Sequence, residues 1–197
     1  MKFYVKKAPS QYWFCDEPEL TLIARHPEDV QPVLTEVERL QQAGHLVAGW
    51  ISYEAASAFD ARMPSHDPGG FPLMQLMATR EIKVTDLSSP RMSQQNPVHL
   101  QPRISQDSYL AKYAELIDLI HAGDLYQANF SFRGDVAGVV DGFELFCQLE
   151  AHHPMPYSAY VATDDIEVLS MSPELFLKKR GTQVMTEPMK GTASRDL

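Results

Sequence analysis

The sequence predicts an α+β chain built on largely antiparallel sheets. Two observations carry that reading. Helix-like and strand-like stretches follow one another without the regular βαβα rhythm of a doubly wound parallel fold. No glycine-rich phosphate loop is present either: Gly69-Gly70 lies in a Pro-rich stretch with no helix signal after it.

Each element has its own local reason. Residues 27–43 place Val30, Val33, Leu34, Val37 and Leu40 at helical spacing, and Gly44 offers a stop. Residues 45–53 (HLVAGWISY) are β-prone and apolar, which predicts a buried strand with Trp50 and Tyr53 in its core. Residues 71–78 and 81–86 read as further strands. The polar run 88–97, with Pro near each end, predicts a linker between lobes at 1–87 and 98–197. Ser105 can cap a second helix whose apolar stripe is Tyr109, Tyr113, Leu116, Ile117 and Ile120, with Gly123 ending it. Residues 124–133 (DLYQANFSFR) alternate as a strand does. Tyr126, Ala128, Phe130 and Phe132 share one face; Gln127, Asn129 and Ser131 share the other. Asp141 and Glu144 resemble a capping box opening a short helix through Glu150. Residues 157–163 and 166–171 predict two strands joined at Asp164-Asp165, and 175–179 and 182–186 two more around Gly181.

Composition narrows the function classes. Hydrophobic residues make up 44% of the 197 positions and charged residues 22%, ordinary for a globular chain. The formal charge of −9 argues against nucleic acid as the main partner, because phosphate binding needs clustered Lys and Arg. The longest basic cluster, Lys178-Lys179-Arg180, reads as a turn between strands. No apolar run reaches the ~18–20 residues that span a bilayer, and the first residues lack a signal-peptide core. Cys15 and Cys147 make no metal-type spacing, so a reduced, cytoplasmic protein is expected.

Three places could carry chemistry. The first is 186–195 (TEPMKGTASR), where Lys190 stands beside Gly191 and Thr192. A desolvated lysine can act as a nucleophile; glycine lets backbone approach a ligand, and its neighbouring N–H groups can bind a carboxylate. The same residues also suit a solvated loop. The second is Ser172-Pro173-Glu174. Glu174 suits a general acid if it is buried, and otherwise reads as a surface carboxylate. The third is the polar face of Gln127, Asn129 and Ser131, which either faces water or lines a site.

These segments occur in an order that resembles the chorismate-utilising enzymes: GDLYQANFSFR (123–133), SMSPELFL (170–177) and TEPMKGTASR (186–195), with Glu174 and Lys190 sixteen positions apart. That family includes the anthranilate, isochorismate, salicylate and aminodeoxychorismate synthases. The Pro-Met-Lys-Gly-Thr run resembles the aminodeoxychorismate synthase component I branch, whose anthranilate and isochorismate relatives usually place Ala where Lys190 stands. Gln127 stands where isochorismate and salicylate synthases have a water-activating Lys. AGWISYEAASAFD (48–60) resembles the start of the short component I. Glu187 stands where relatives often have Arg, and Ser194 where Pro is common; the Glu187 charge would favour Lys190 as ammonium.

The resemblance implies an anthranilate-synthase-like fold: antiparallel sheets forming a sandwich with outer helices. It implies that Lys190 attacks chorismate at ring C2 while Glu174 protonates the departing 4-hydroxyl. Ammonia from a glutamine amidotransferase partner then adds at C4, giving 4-amino-4-deoxychorismate for para-aminobenzoate and folate. Gly191 and Thr192 would hold the substrate, with Gln127 near the chemistry. The family uses Mg²⁺, and its glutamate ligands lie past the Lys-Gly-Thr motif. The chain is therefore expected to hold the N-terminal lobe and the first half of the catalytic domain, and to be inactive by itself in turning chorismate over to aminodeoxychorismate. Two other readings stand: a non-catalytic chorismate-binding or interaction module, and an anthranilate- or isochorismate-forming enzyme.

Overall fold

The computed structural model describes residues 1–63, 65–87, 99–138 and 141–188. The chain opens with a hairpin. Strands β1 (Lys2–Ala8) and β2 (Gln11–Cys15) pair antiparallel, with Phe3 opposite Cys15 and Val5 opposite Trp13. Ser10 makes the turn at φ 61°, a left-handed conformation more usual for Gly or Asn. This hairpin and β3 (Leu20–Ala24) are absent from the sequence reading. Helix α1 (Pro27–Gln42) then starts with Pro at its first position, and the Asp29 carboxylate accepts the His26 N–H at 3.0 Å. Gly44 follows it at φ 87°.

Strand β4 (Leu46–Ile51) is followed by a 3₁₀ helix, Tyr53–Ala58, and then by β5 (Met74–Thr79) and β6 (Lys83–Asp86). Beyond them come β7 (His99–Pro102), α2 (Gln106–Ala122), β8 (Gly134–Ala137) and α3 (Gly142–His152). Two hairpins complete the described chain: β9 (Tyr157–Ala162) with β10 (Glu167–Ser172), and β11 (Leu175–Arg180) with β12 (Gln183–Glu187).

The chain divides into two compact units, Met1–Pro90 with Phe143–Leu197, and Arg91–Gly142. In the first, one sheet has the order β10-β9-β1-β2-β6 and another β3-β5-β4. Their inner faces meet through Phe3, Cys15, Met77 and Val161. Alternation along β5 sends Met77 to that interface while Met74 and Leu76 pack on the other side with Val30 of α1. Tyr160 and Ala162 of β9 and Tyr12 of β2 meet Phe146 of α3 on the outer face of the five-stranded sheet. The order is therefore helix, sheet, sheet, helix, which is the expected sandwich with outer helices. In the second unit β7 pairs with β8, and Tyr109 of α2 stacks on Phe130, centroids 4.9 Å apart.

Four local expectations change. The buried strand is β5, whose six residues are all buried, because β3 and β4 flank it. β4 is an edge strand, and Tyr53 lies beyond it in the 3₁₀ helix, 87% exposed. Residues 124–133 alternate but are not a strand: pairing with β7 starts at Gly134, and only the Arg133 carbonyl extends it by accepting the Arg103 N–H at 2.8 Å. Lys178, Lys179 and Arg180 belong to β11 itself, with the turn at Gly181, φ 58°. The run 88–97 lies outside the described residues. The two compact units part within that run, between Pro90 and Arg91, and again between Gly142 and Phe143, because β9 and β10 share a sheet with β1 and β2.

Candidate functional site

The spacing between Glu174 and Lys190 is that of a hairpin. β11 begins one residue after Glu174, and its register sets Leu175 opposite Glu187. The chain leaves along β11, turns at Gly181 and returns along β12 to the end where Glu174 stands. Pro188 follows Glu187, and Lys190 lies two positions on. Lys190, Gly191 and Thr192 lie outside the described residues. Glu174 occupies a bend, is exposed, and is fixed by its neighbour: the Ser172 hydroxyl accepts the Glu174 N–H at 3.2 Å and donates to the Glu174 carbonyl at 2.9 Å. The buried environment that would suit a general acid is not present around it. Gln127 is exposed and belongs to the second compact unit.

At the same root of the ribbon, the Tyr157 hydroxyl donates to the Glu187 carboxylate. That bond, with some burial, holds the Tyr157 phenol above its ordinary range. Sequence reasoning placed Glu187 beside the lysine motif but gave it no partner. The thirty-residue separation hides the contact.

A second polar cluster was not foreseen at all. Lys6 of β1, Tyr12 of β2 and Glu150 of α3 converge, with Lys6 Nζ 2.5 Å from Glu150 Oε2 and both side chains 7% exposed. Tyr12 donates its hydroxyl to the same oxygen, and the Met155 N–H donates to the other at 3.1 Å. Burial works against the Glu150 charge, but bonds from Lys6, Tyr12, Ser158 and Met155 outweigh it and hold the carboxyl below its usual range. Burial, then the bond to Glu150, pushes the Tyr12 phenol well up. Glu150 lies in the last turn of α3, where the helix dipole disfavours a carboxylate, so the Lys6 cation compensates twice. The cluster walls a cleft of about 640 Å³ that Cys147, Pro154 and Pro156 also line. A signal existed in sequence: a glutamate amid the apolar positions of an amphipathic helix needs a cation.

Among the described residues no group of three or more His, Cys, Asp or Glu could hold a metal ion. No described helix is long and apolar enough to cross a membrane.

Comparison with known proteins identifies relatives of the chain. A family model for chorismate binding enzyme matches residues 2–197. Aminodeoxychorismate synthase component 1 of Klebsiella aerogenes is 35% identical over 92 residues, 47% of this chain and 20% of that protein. Anthranilate synthase component 1 of Thermus thermophilus is 30% identical over 132 residues, 67% of this chain and 29% of that protein. In structure, anthranilate synthase component I of Streptococcus pneumoniae superposes with a TM-score of 0.69 at 14% identity, covering 91% of this chain and 54% of that one. The chain thus spans from a fifth to about half the length of these relatives.

Proposed function

The chain belongs to the chorismate-binding enzyme family, and we propose that it is the part of an aminodeoxychorismate synthase component 1 that carries the nucleophile and the acid. The observation that supports this most is the β11–β12 hairpin, which brings Glu187, three positions before Lys190 in the sequence, back to the end of the ribbon where Glu174 stands. Lysine in that motif favours the aminodeoxychorismate branch over the anthranilate branch, although relatives of both kinds match.

In the proposed reaction the Lys190 amine forms a bond to ring C2 and both ring double bonds shift toward C4. The C4 hydroxyl leaves as water with a proton from Glu174, because hydroxide is a poor leaving group. Ammonia then bonds to C4, both double bonds shift back, the Lys190 amine departs from C2, and a proton from the incoming nitrogen returns to Glu174. The covalent step divides one difficult substitution into two. Gly191 and Thr192 hold the substrate, and Gln127 borders it without acting as a base. A glutamine amidotransferase supplies the ammonia, in keeping with relatives named as component 1. Mg²⁺ belongs to the expected reaction, but the described residues do not fit a metal site, so no step here is routed through it.

Intact-protein mass spectrometry after incubation with chorismate and Mg²⁺, without ammonia, tests the reading. A substrate-derived adduct mapping to Lys190 and missing from Lys190→Ala is expected. A chain that stays folded by circular dichroism yet takes no adduct refutes it.

A further inference from the structure

The Ser172-Pro173-Glu174 turn is enclosed by a ring of contacts. Ser172 pairs with Tyr157 across β10 and β9. The Ser172 hydroxyl grips both backbone groups of Glu174. Leu175 then stands opposite Glu187 in the ribbon, and its carbonyl accepts the Thr186 hydroxyl at 3.2 Å. The Tyr157 hydroxyl closes the ring on the Glu187 carboxylate. Two of these links are strand pairings and one is local to the turn. The Tyr157–Glu187 bond is the link that runs from the five-stranded sheet to the far strand of the ribbon.

That link has much to hold. Every residue of β12 is exposed, and so is all of β11 after Leu175, with Phe176 88% exposed. A two-stranded ribbon is marginal in water without a packed face. Its root can be held by the covalent turn at Glu174, but a turn alone leaves the ribbon free to pivot. A second attachment on the opposite strand removes that freedom.

We propose that Tyr157 is a positioning residue: by binding Glu187 it fixes the ribbon against the sheet and so sets the direction of Glu174 and of the strand that leads to Lys190. The proposal rests on the reading of Glu174 and Lys190 given above. It also explains how Glu is accommodated at position 187, where a bare carboxylate would stand three positions in sequence from an amine that must lose its proton. Hydrogen bonding to the phenol spreads part of that charge.

The test uses the whole chain with Tyr157→Phe, Glu187→Ala and Glu187→Gln, all checked for folding by circular dichroism. Hydrogen exchange across residues 172–187 is expected to rise at least tenfold in Tyr157→Phe and Glu187→Ala. Glu187→Gln keeps an acceptor oxygen and is expected to stay within about threefold of the parent. Alkaline titration of phenol absorbance, taken as the parent minus Tyr157→Phe difference, should show one tyrosine ionising above the ordinary value of about 10; Glu187→Ala should return it there. Rates of adduct formation at Lys190 should fall in Tyr157→Phe and recover in Glu187→Gln. Unchanged exchange in Tyr157→Phe, or an ordinary titration of Tyr157 in the parent, overturns the proposal. If the parent forms no adduct, the functional reading fails, while exchange and titration still decide whether the clamp exists.

Discussion

Replacing Lys6 by Met should be the most damaging single change of charge in the described chain. At 2.5 Å and an effective dielectric of about 20, the Lys6–Glu150 attraction is about 7 kcal/mol before the cost of taking both charges out of water. Several kcal/mol of desolvation per ion offset it, so the pair as a whole contributes little. Removing only the cation leaves the carboxylate 7% exposed at the end of α3, with Tyr12, Ser158 and Met155 as remaining donors. A loss of roughly 3–5 kcal/mol is expected at pH 7, against a typical total of roughly 5–15 kcal/mol. The pH dependence carries a sign. In the parent the Glu150 carboxyl is held below its usual range. Its stabilisation is therefore complete above the ordinary carboxylate value of about 4.3 and is lost as pH falls through the lower folded value. In Lys6→Met the lowering effect of the cation is gone, so the folded carboxyl takes up a proton more readily than in the parent and the deficit relaxes toward acid. Urea unfolding followed by circular dichroism at pH 7 and pH 4 reads both effects. A deficit below about 1 kcal/mol at pH 7, or one that does not shrink at pH 4, would contradict the role given to this pair. Lys6→Met with Glu150→Gln should recover part of the loss, because no charge is then stranded.

Gly49→Ala would place a Cβ 2.1 Å from the Gln75 carbonyl oxygen and 2.8 Å from the Leu76 Cα. Both are backbone atoms of β5, so the strands must part; a loss of roughly 3 kcal/mol and a Tm lower by roughly 6–12 °C are expected, and a melt within 2 °C of the parent contradicts this. Ser105→Ala removes the acceptor that binds the Ser108 N–H at 3.2 Å. It should cost about 1 kcal/mol, seen as faster exchange confined to the first turn of α2. Glu174→Gln cannot supply the leaving group's proton, so adduct formation at Lys190 should slow by roughly 10²–10⁴-fold; an unchanged rate in a quench-flow experiment removes Glu174 from the chemistry.

What could be read from sequence was what short-range physics decides. α1 and α2 announced themselves through apolar spacing and stop glycines, and Gly44 and Gly123 do adopt positive φ. The hairpins at Asp164-Asp165 and Gly181 were legible because their turns and strands are contiguous. The first hairpin was not, because its turn uses Ser10 where a hairpin signal calls for Gly or Asn. Residues 124–133 show the converse failure. Alternation states which side chains share a face, but a strand also needs a partner, and β7 meets the chain only from Gly134 onward. The pairing of β1 with β9 joins residues about 160 positions apart, and nothing local reports it. The site divides the same way. Glu174 and the lysine motif were paired by a family resemblance carried on nearby segments, whereas Lys6, Tyr12 and Glu150 come from three distant elements that no such segment joins.

The exposure of Glu174 sets a condition on the proposed chemistry. An acid that delivers a proton to a leaving oxygen works best where water is excluded, since water competes for the proton and weakens the directing field. The turn that carries Glu174 is anchored through its backbone by Ser172, which fixes where the carboxylate begins without covering it. Its neighbours on the ribbon, Phe176 and Leu177, are exposed as well, at 88% and 55%. Orientation is therefore built into the folded chain, while exclusion of water must arrive with whatever covers the ribbon root, the substrate ring included. A site of this kind derives its rate from geometry first. That is why disturbing the Tyr157–Glu187 clamp, which touches no reacting atom, should register in the chemistry.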